Sequence, residues 1–159
     1  MANIIKLTPG GASSWTSMGF TAADFNSLAN GSFVLASSAI DNSSNLDLEA
    51  VCSGSMEVGG TTTAAHYLLL WRLPLGRDGS TYGDGTPSGT NLPGSQFQAA
   101  STTARVGITS GNALSWQFAR VWLPRNTFKF GLSQHLGAAL DSTATFTGEF
   151  QTTNLNTNG

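Results

Sequence analysis

Charged side chains are scarce in this sequence, and their scarcity limits what the protein can bind. Asp, Glu, Lys and Arg together make up 10% of the 159 residues, and the net charge is −2. Globular domains usually contain about 25% charged residues. The lysines are Lys6 and Lys129 alone, too few for the basic stripe that nucleic-acid binding requires. We therefore expect no nucleic-acid partner.

Cysteine and histidine are nearly absent, which argues against a disulfide framework and against metal or catalytic sites. With the single cysteine Cys52, the chain cannot form an internal disulfide. Cys52 is in strand phase with Leu48 and Ala50, so we expect a small buried hydrophobic residue, with a catalytic or bridging thiol as the alternative. The two histidines, His66 and His135, lack the paired spacing of a zinc site, and no Gly-x-Ser-x-Gly nucleophile elbow occurs. The sequence therefore predicts no enzymatic activity and no cofactor.

Long apolar runs are also missing. No segment approaches the roughly 20 consecutive apolar residues of a membrane-spanning helix, and the N-terminal MANIIKL does not have the pattern of a signal peptide. We expect no membrane partner, and a protein that is made and kept soluble inside a cell. A chain of this length is expected to form one domain, which buries roughly 70% of the surface that the unfolded chain exposes.

Strand-forming segments are what the sequence has in quantity, and the clearest is HYLLLWRLPL at residues 66–75. Strand alternation divides its large side chains into two sides, with Tyr67, Leu69, Trp71 and Leu73 on one and Leu68 and Leu70 on the other. Because both sides are apolar, we predict a central strand that is covered on both faces. Pro74 cannot donate to a strand ladder and ends it, and the polar, glycine-rich residues 76–93 predict a long functional loop.

Six further segments show strand patterns and are separated by turn signals. We predict strands at residues 33–40, 46–52, 97–108, 114–123, 128–132 and 144–150. In the strand of residues 46–52, alternation places Asp47 and Glu49 outward. In the strand of residues 114–123 the apolar phase shifts after Phe118, which predicts a β-bulge near Ala119 or Arg120.

One short helix is predicted near residues 22–29, because Thr21 and Asp24 have the spacing of a capping box. The fold class that the whole pattern predicts is all-β. We expect an antiparallel β-sandwich, jelly-roll-like as the first choice of topology and immunoglobulin-like as the second.

The two ends of the chain lack a clear strand pattern. Residues 1–20 carry apolar side chains without a regular period, and we predict an extended N-terminal arm that docks on a neighbouring subunit, with a partly ordered terminus as the alternative. Residues 21–152 are predicted to form the β-sandwich domain, and residues 153–159 a flexible C-terminal tail. The interface candidates within the arm are Ile4, Ile5, Leu7, Trp15 and Met18.

Two groups of residues could bind a ligand, and each has a simpler structural explanation. Asp78 and Asp84 lie in a glycine-rich segment that could hold a cation, but their spacing is not that of an EF-hand, and Asp-Gly is common in turns. We therefore predict no metal site. If a cation does bind, Asp78 and Asp84 are the candidate ligands. The aromatic residues that could form a sugar-binding platform are Tyr67, Trp71, Tyr82, Trp116 and Trp122. Strand phase places Tyr67, Trp71 and Trp116 in the core and leaves Tyr82 exposed on the loop.

Four segments together resemble a family of small tailed-phage virion proteins. They are LANG at 28–31, AIDNSSNLDLEAV at 39–51, HYLLLWRLPLGRDGSTYGDG at 66–85 and VWLPRNTFKFGLSQHLGAAL at 121–140. In that family a strand ending in Leu-Pro is followed by Asp-Gly-x-x-Tyr, and later by a second Leu-Pro and a Lys-Phe strand. Members are similar to the jelly-roll cement, or decoration, proteins that sit on the outside of phage capsids and tie neighbouring major capsid proteins together.

The resemblance implies a bacteriophage capsid cement protein that stabilises the head. The partners it implies are the major capsid protein and further copies of the chain itself, as a dimer or trimer at capsid symmetry axes. The location it implies is the capsid surface of the virion, after synthesis in the host cytoplasm. Arg77, Asp78 and Tyr82, in the loop after the central strand, join the arm as interface candidates. A structural role in the phage tail or neck and a glycan-binding β-sandwich stay open as alternatives.

Overall fold

The strands of this protein pair into two antiparallel sheets. The computed structural model describes residues 5–9, 15–44, 47–59, 67–80, 82, 102–105, 107–108, 113–143 and 145–157. Within these residues there is one 3-10 helix, Ala22–Phe25. The strands are β1 (Ile5–Pro9), β2 (Thr16–Ser17), β3 (Phe33–Leu35), β4 (Ile40–Asp41), β5 (Glu49–Glu57), β6 (Tyr67–Pro74), β7 (Thr102–Arg105), β8 (Gly107–Ile108), β9 (Ala113–Trp122), β10 (Thr127–His135) and β11 (Thr147–Thr157).

One sheet has the strand order β1-β11-β5-β9-β8, with β2 also paired to β11, and is called the six-stranded sheet. The other has the order β3-β10-β6-β7, with β4 also paired to β10, and is called the five-stranded sheet. β1 and β2 follow one another along the same side of β11, since Pro9 pairs with Thr153 and Thr16 pairs with Phe150. The predicted all-β antiparallel sandwich is confirmed.

The hydrophobic core lies between the two sheets and is built from alternate residues of their strands. Its fully buried members from β6 and β10 are Leu68, Leu70, Phe128, Phe130 and Leu132. Phe130 meets Phe150 of the opposite sheet, with ring centroids 5.5 Å apart. Cys52 is buried in this core, as predicted, and burial raises the pKa of its thiol to about 12. The thiol is therefore protonated and unreactive near neutral pH.

The other face of β6 is also buried, which confirms the prediction of a strand covered on both sides. Trp71 and Leu73 pack with Phe33 of β3 in a second hydrophobic cluster. Tyr82 packs against this cluster and is half-buried, with the Lys129 ammonium 5.2 Å from its ring centroid. The prediction of an exposed Tyr82 is therefore wrong, because the cluster on the outer face of the five-stranded sheet supplies it with a packing surface.

Tyr67 does not lie in the core as its strand phase predicts. It is the first residue of β6 and is 36% exposed. Its ring stacks on the ring of His135, the last residue of β10, with centroids 4.4 Å apart and an interplanar angle of 12°. Tyr67 is on the same side of β6 as Trp71 and Leu73, as its phase predicts. It lies at the end of the strand, outside the cluster that buries those two residues.

The predicted bulge in β9 is present. Cys52 pairs with Phe118 and Ala50 pairs with Val121, so two residues of β9, Ala119 and Arg120, lie opposite one residue of β5. Such an extra residue changes the facing of every residue that follows it. Val121 is buried as a result, and Trp122 is exposed.

Asp47 and Glu49, which the sequence predicts on the outer side of the second strand, are both buried, Glu49 beneath Arg120 on the outer face and Asp47 before the strand begins. That strand is β5 and begins at Glu49 rather than at residue 46. Asp47 precedes it, and its backbone N–H donates to Asn42 Oδ1 at 2.9 Å, while Asn42 Nδ2 donates to the carbonyls of Asp47 and Pro124 at 2.8 Å each. The outward prediction fails for Asp47 because the chain there is fixed by a side-chain amide and not by a strand ladder.

The structure of residues 5–9 and 15–20 differs from that of the predicted N-terminal arm in two respects, while its docking on a neighbouring subunit stays a prediction. Ile5–Pro9 is a strand, because β11 continues to Thr157 and pairs with it along its whole length. Met18 is fully buried in the core, and its N–H donates to the carbonyl of Gly148 at 2.9 Å. A boundary after residue 20 therefore separates residues that pack together. The tail prediction is also wrong up to Thr157, since residues 153–157 are the end of β11.

The helix is shorter than predicted, spanning Ala22–Phe25 instead of 22–29. It stops because Asn26 leaves the helical region with ψ 118° and Ser27 has a positive φ of 55°. One of the hydrogen bonds of the predicted capping box is present, since the Asp24 carboxylate accepts the Thr21 N–H at 2.7 Å.

No helix within the described part of the chain is long and apolar enough to cross a membrane.

The strand predicted at residues 97–108 is two short strands in different sheets. β7 pairs with β6 in the five-stranded sheet, and β8 pairs with β9 in the six-stranded sheet. Residues 97–101 lie outside the described residues. The chain therefore passes from one sheet to the other between Arg105 and Gly107, which alternation along a single strand cannot indicate.

Candidate functional site

Two tryptophans remain on the surface of the six-stranded sheet, and they mark this sheet as the candidate interaction site. Trp122, the last residue of β9, is 57% exposed, and Trp15, immediately before β2, is 42% exposed. β2 lies at the β11 side of the sheet, whereas β9 lies beyond β5. Tyr67 is the other large aromatic side chain that is exposed in the described part of the chain, and it belongs to the opposite sheet.

Trp122 is placed on the outer face by the bulge in β9. Without the extra residue, the alternation of Leu114, Trp116 and Phe118 would carry Trp122 into the core. With it, Val121 and Leu123 are buried and Trp122 faces away from them. Bulges often redirect a side chain at a functional surface, and here the redirected residue is one of the two tryptophans of β9.

Arg120, in the bulge, is fixed between Glu49 and Trp122. Its Nε donates to both Glu49 carboxylate oxygens at 2.9 Å, and its Nη2 donates to Oε1 at 2.6 Å. The guanidinium carbon lies 5.3 Å from the Trp122 ring centroid, within the range of a cation–π interaction. The hydrogen bonds from Arg120 to Glu49, followed by their charge attraction, raise the pKa of Arg120. We call Glu49, Arg120 and Trp122 the Trp122 patch.

Arg72 holds the backbone beneath the Trp122 patch from the opposite sheet. It is in strand phase with Leu68 and Leu70 on the core side of β6, and its Nη1 donates to the carbonyl of Trp122 at 2.6 Å. Burial lowers the pKa of Arg72. Charge-assisted hydrogen bonds are stronger than neutral ones, so this contact fixes the end of β9 relative to the core.

The rest of the outer face of the six-stranded sheet is polar but carries few charges. The residues of β5 and β9 that alternate with core residues here include Val51, Ser53, Ser55, Glu57, Ser115 and Gln117, and Glu149 of β11 lies on the same face. The hydroxyls of Ser55 and Thr147 lie 2.9 Å apart, so they bond to each other across β5 and β11. The face therefore presents an exposed aromatic ring, surrounding hydroxyl and amide groups, and the two carboxylates of Glu57 and Glu149.

The interface candidates in the arm lie at one edge of this sheet, with one exception. The strand β1 contains Ile5 and Leu7, and Trp15 precedes β2, so these three follow the same side of β11. Ile4 lies outside the described residues. Met18 is buried in the core, so the prediction that it contacts a partner is wrong.

The loop candidates belong to the other sheet. Arg77 and Asp78 are exposed in the turn after β6, and Tyr82 packs on the outer face of the five-stranded sheet. The structure therefore does not bring the loop candidates and the arm candidates together on one sheet.

Asp78 has the contacts of a turn residue. Its carboxylate accepts the Ser80 N–H at 3.1 Å and the Ser80 hydroxyl at 3.2 Å, and Gly79 between them has a φ of 72°. Asp84, the second candidate for a cation, lies outside the described residues. Among the side chains that the structure describes, no three from His, Cys, Asp and Glu cluster in a way that could hold a metal ion.

His135 is the one histidine that lies within the described residues, since His66 falls outside them. Its Nε2 is buried without a hydrogen-bond partner, and burial lowers the pKa of the ring. Its stacking on Tyr67 makes it a packing residue at the end of β10. Among the described residues, no hydroxyl or thiol is hydrogen-bonded to its Nε2.

The pairing of Glu49 with Arg120 is the part of the site that sequence reasoning missed. The two residues are 71 positions apart, so no local spacing relates them. A usable signal did exist for Trp122, because the phase shift after Phe118 that predicts the bulge also turns Trp122 outward. The sequence thus indicates the exposed ring and not the ion pair that supports it.

Comparisons with known proteins add no identification to this geometry. No protein-family model, no curated protein and no solved structure matches the chain. The arguments about function therefore depend on the residues of this chain and on the sequence resemblance described above.

Proposed function

We propose that this chain is a bacteriophage capsid cement protein that binds the outer surface of the major capsid protein shell and stabilises the head. In this proposal the outer face of the six-stranded sheet docks on the shell, with the Trp122 patch at the centre of the contact. The observation that carries the proposal is the exposed Trp122 ring, supported by Arg120 and tied to the core through Arg72. Trp and Arg are the residues most enriched among those that dominate binding energy at protein interfaces.

The free energy gained by burying Trp122 against a partner is large enough for a residue that dominates docking. Covering the exposed part of Trp122 would contribute about 3 kcal/mol at about 25 cal/mol per Å² of apolar surface. The entropy cost of ordering is small, because Arg120 and Arg72 already fix the ring and its backbone. The contact needs no catalytic group, and we propose that the protein is not an enzyme.

The low charge of the chain suits a protein that is present in many copies on one shell. Formal charges would sum over the copies into a strong field. Outside the Trp122 patch, the outer face offers hydroxyls, amides and the carboxylates of Glu57 and Glu149, and a partner that covers it has to desolvate few charges. This composition supports a protein partner more than a nucleic acid.

We also infer a jelly-roll topology from the strand pairing. β1 with β2, β3 with β4, and β7 with β8 can each be counted as one interrupted strand, which gives eight strands. The antiparallel pairs are then first with eighth, second with seventh, third with sixth and fourth with fifth. This is the arrangement of a long hairpin wrapped into two sheets, as in a jelly roll, and it supports the relation to jelly-roll cement proteins.

The experiment that tests the proposal measures binding of purified chain to shells made of the major capsid protein. Trp122→Ala should bind shells at least tenfold more weakly than the unaltered chain, because the largest buried contact is removed. Tyr67→Ala is the matched control, since it removes an exposed aromatic ring from the opposite sheet. Equal loss with both variants, or no loss with Trp122→Ala, contradicts docking through the six-stranded sheet.

The copy number in purified virions separates the head from the tail. Quantitative mass spectrometry should give a number comparable with that of the major capsid protein. A number far below it would contradict the cement proposal and favour the tail or neck. Absence from virions would contradict both.

A glycan-binding β-sandwich is the second candidate, because the exposed Trp122 ring also fits the stacking face that a sugar requires. Its polar neighbours could supply hydrogen bonds to sugar hydroxyls. This candidate predicts saturable binding to a panel of host surface glycans, and loss of that binding in Trp122→Ala. The cement proposal predicts no glycan binding, either by the unaltered protein or by Trp122→Ala.

A further inference from the structure

The strand β11 has two neighbours along only part of its length. Thr147–Thr153 pair with β5 on one side, and the last of these pairs joins Thr153 to Glu49. In the described part of the chain the β5 ladder ends there, and the residue before Glu49 bonds on the β9 side, where the Leu48 carbonyl accepts the Leu123 N–H at 2.9 Å. Among the described residues, 154–157 therefore pair with β1 alone.

Within the described residues, 5–8 and 154–157 thus form a two-stranded ribbon. Its ladder pairs Ile5 with Thr157, Leu7 with Leu155 and Thr8 with Asn154. A ribbon of two strands without a third is only marginally stable in water. β1 therefore depends on β11 for its place, whereas β11 is also held by β5.

The chain is anchored again from Thr16 onward. Thr16 and Ser17 pair with β11, Met18 is buried in the core, and the Gly19 carbonyl accepts the Ser38 N–H at 3.0 Å. Between the ribbon and this anchor the sequence is Gly10-Gly11-Ala12-Ser13-Ser14.

We propose that β1 is exchanged between copies of this chain, so that Ile5–Pro9 of one copy pairs with Thr153–Thr157 of a second copy. The exchanged ladder contains the same residue pairs as the ladder within one chain, so every backbone hydrogen bond of β1 is retained. The anchor at Thr16–Gly19, which includes the buried Met18, stays in its own copy. Exchange of an identical element is a route to association that requires no new interface chemistry.

A second copy fits this role better than an unrelated strand added to the outer edge of β1. That edge carries Lys6 and ends in Pro9, and lysine and proline are residues that discourage addition of a further strand to an edge. Exchange does not use this outer edge. In it, β1 pairs through the same edge as before, but with the β11 of a second copy. The linker of residues 10–14 spans at most about 20 Å from Pro9 to Trp15, which limits how far apart the two β11 ends can lie.

Exchange of β1 between copies does not require capsid binding, so it can be tested in solution without shells. The test uses full-length chains that each carry one new cysteine, Thr8→Cys in a copy with an affinity tag and Asn154→Cys in an untagged copy. Cα atoms of paired residues in an antiparallel ladder lie about 4.5–5.5 Å apart, within the range of a disulfide. The native Cys52 is buried and stays unreactive.

The two proteins are mixed at high concentration, oxidised mildly and separated on a non-reducing gel. Exchange predicts a tagged–untagged disulfide dimer in severalfold higher yield than in a control mixture of Thr8→Cys with Ser115→Cys, because Ser115 lies on β9, away from the ribbon. A second pair, Leu7→Cys with Leu155→Cys, samples the neighbouring position of the ladder and guards against poor disulfide geometry at the first. A yield no higher than the control for both pairs overturns the proposal.

A chain that carries Thr8→Cys and Asn154→Cys together checks the register itself. At high dilution it should form the disulfide within one chain, and at high concentration it should form dimers as well. An internal disulfide without dimers at any concentration overturns exchange. The absence of both products means that the ladder does not form in solution, and the proposal fails with it.

Discussion

The Nη1 of Arg72 and the backbone carbonyl of Trp122 are joined by a hydrogen bond of 2.6 Å that runs between the two sheets. It ties the end of β9 in one sheet to the centre of β6 in the other. The exposed ring that we propose as the docking residue is therefore attached to the core by a buried side chain. This contact, together with the pairing of Trp122 with Glu49, couples the position of the site to the stability of the fold.

Replacing Arg72 should lower stability and disturb the site together. Arg72→Met keeps the length of the side chain but leaves the Trp122 carbonyl without this donor, at a cost of about 1–3 kcal/mol in the free energy of unfolding. Denaturant titration measures this loss, and shell binding should weaken as well. Arg125→Met is the control, because Arg125 is exposed. An effect of Arg72→Met no larger than that of the control would contradict the coupling.

The N-terminal segment should divide into a dispensable and an essential part. Deletion of residues 2–14 removes β1 and should leave the melting temperature close to that of the full chain, because the strand lies at the outer edge of the sheet. Deletion of residues 2–19 also removes Met18 from the core. We expect it to cost about 2–5 kcal/mol, by comparison with truncations of a buried methionine to alanine.

The measurement for both deletions is thermal unfolding followed by circular dichroism, with Met18→Ala as a point variant of the same contact. Met18→Ala and the longer deletion should both be destabilised while the shorter deletion is not. Equal stability of the two deletions would mean that Met18 contributes little to the core. Loss of folding in the shorter deletion would mean that β1 is needed for the sandwich.

Gly54 should not accept a side chain. A Cβ at this position would overlap the Thr147 carbonyl oxygen and lie 2.5 Å from Trp116 Cζ2. Because both neighbours belong to packed strands, we expect Gly54→Ala to lower the free energy of unfolding by about 1–3 kcal/mol or more. At Gly59 the nearest atom would be Asp141 Cα at 3.5 Å, so Gly59→Ala serves as the control. Denaturant midpoints that shift equally for both variants would contradict this packing.

Stability should fall in acid partly because of His135. Burial lowers the pKa of His135 in the folded state below its usual value, so the unfolded chain binds a proton there more readily than the folded chain. Above a pH of about 6.5 both states are neutral at this residue and it has no effect. As the pH falls below that value, the unfolded state takes up the proton first, and the free energy of unfolding decreases.

His135→Phe isolates this effect, since it keeps an aromatic ring against Tyr67 and removes the titrating group. Melting temperatures measured between neutral pH and pH 5 should decline less in the variant than in the unaltered chain. Asp41 and Asp141 have pKa values lowered by hydrogen bonds from Ser43 and Thr143, so a further decline at lower pH is expected in both proteins. Parallel curves above pH 5 would show that His135 does not contribute.

The sequence alone determined most of the strands between residues 33 and 150 and the side of most of them that faces the core. Alternation in residues 66–75 predicted a strand covered on both sides, and Leu68 and Trp71 are buried on opposite faces. The shift of phase after Phe118 predicted the bulge of β9, and the phase of Cys52 predicted its burial. These features are local, because the alternation of a strand and the hydrophobicity of its residues can both be read from a few consecutive residues.

Only the tertiary structure decided which strands meet and which polar groups find partners. β1 is a strand because β11, at the other end of the chain, pairs with it, and no pattern in residues 1–20 contains that information. The same holds for Glu49 with Arg120 and for Arg72 with the Trp122 carbonyl. Such contacts join positions far apart in sequence, and their energy is gained only after the sheets have packed and excluded water from the groups between them.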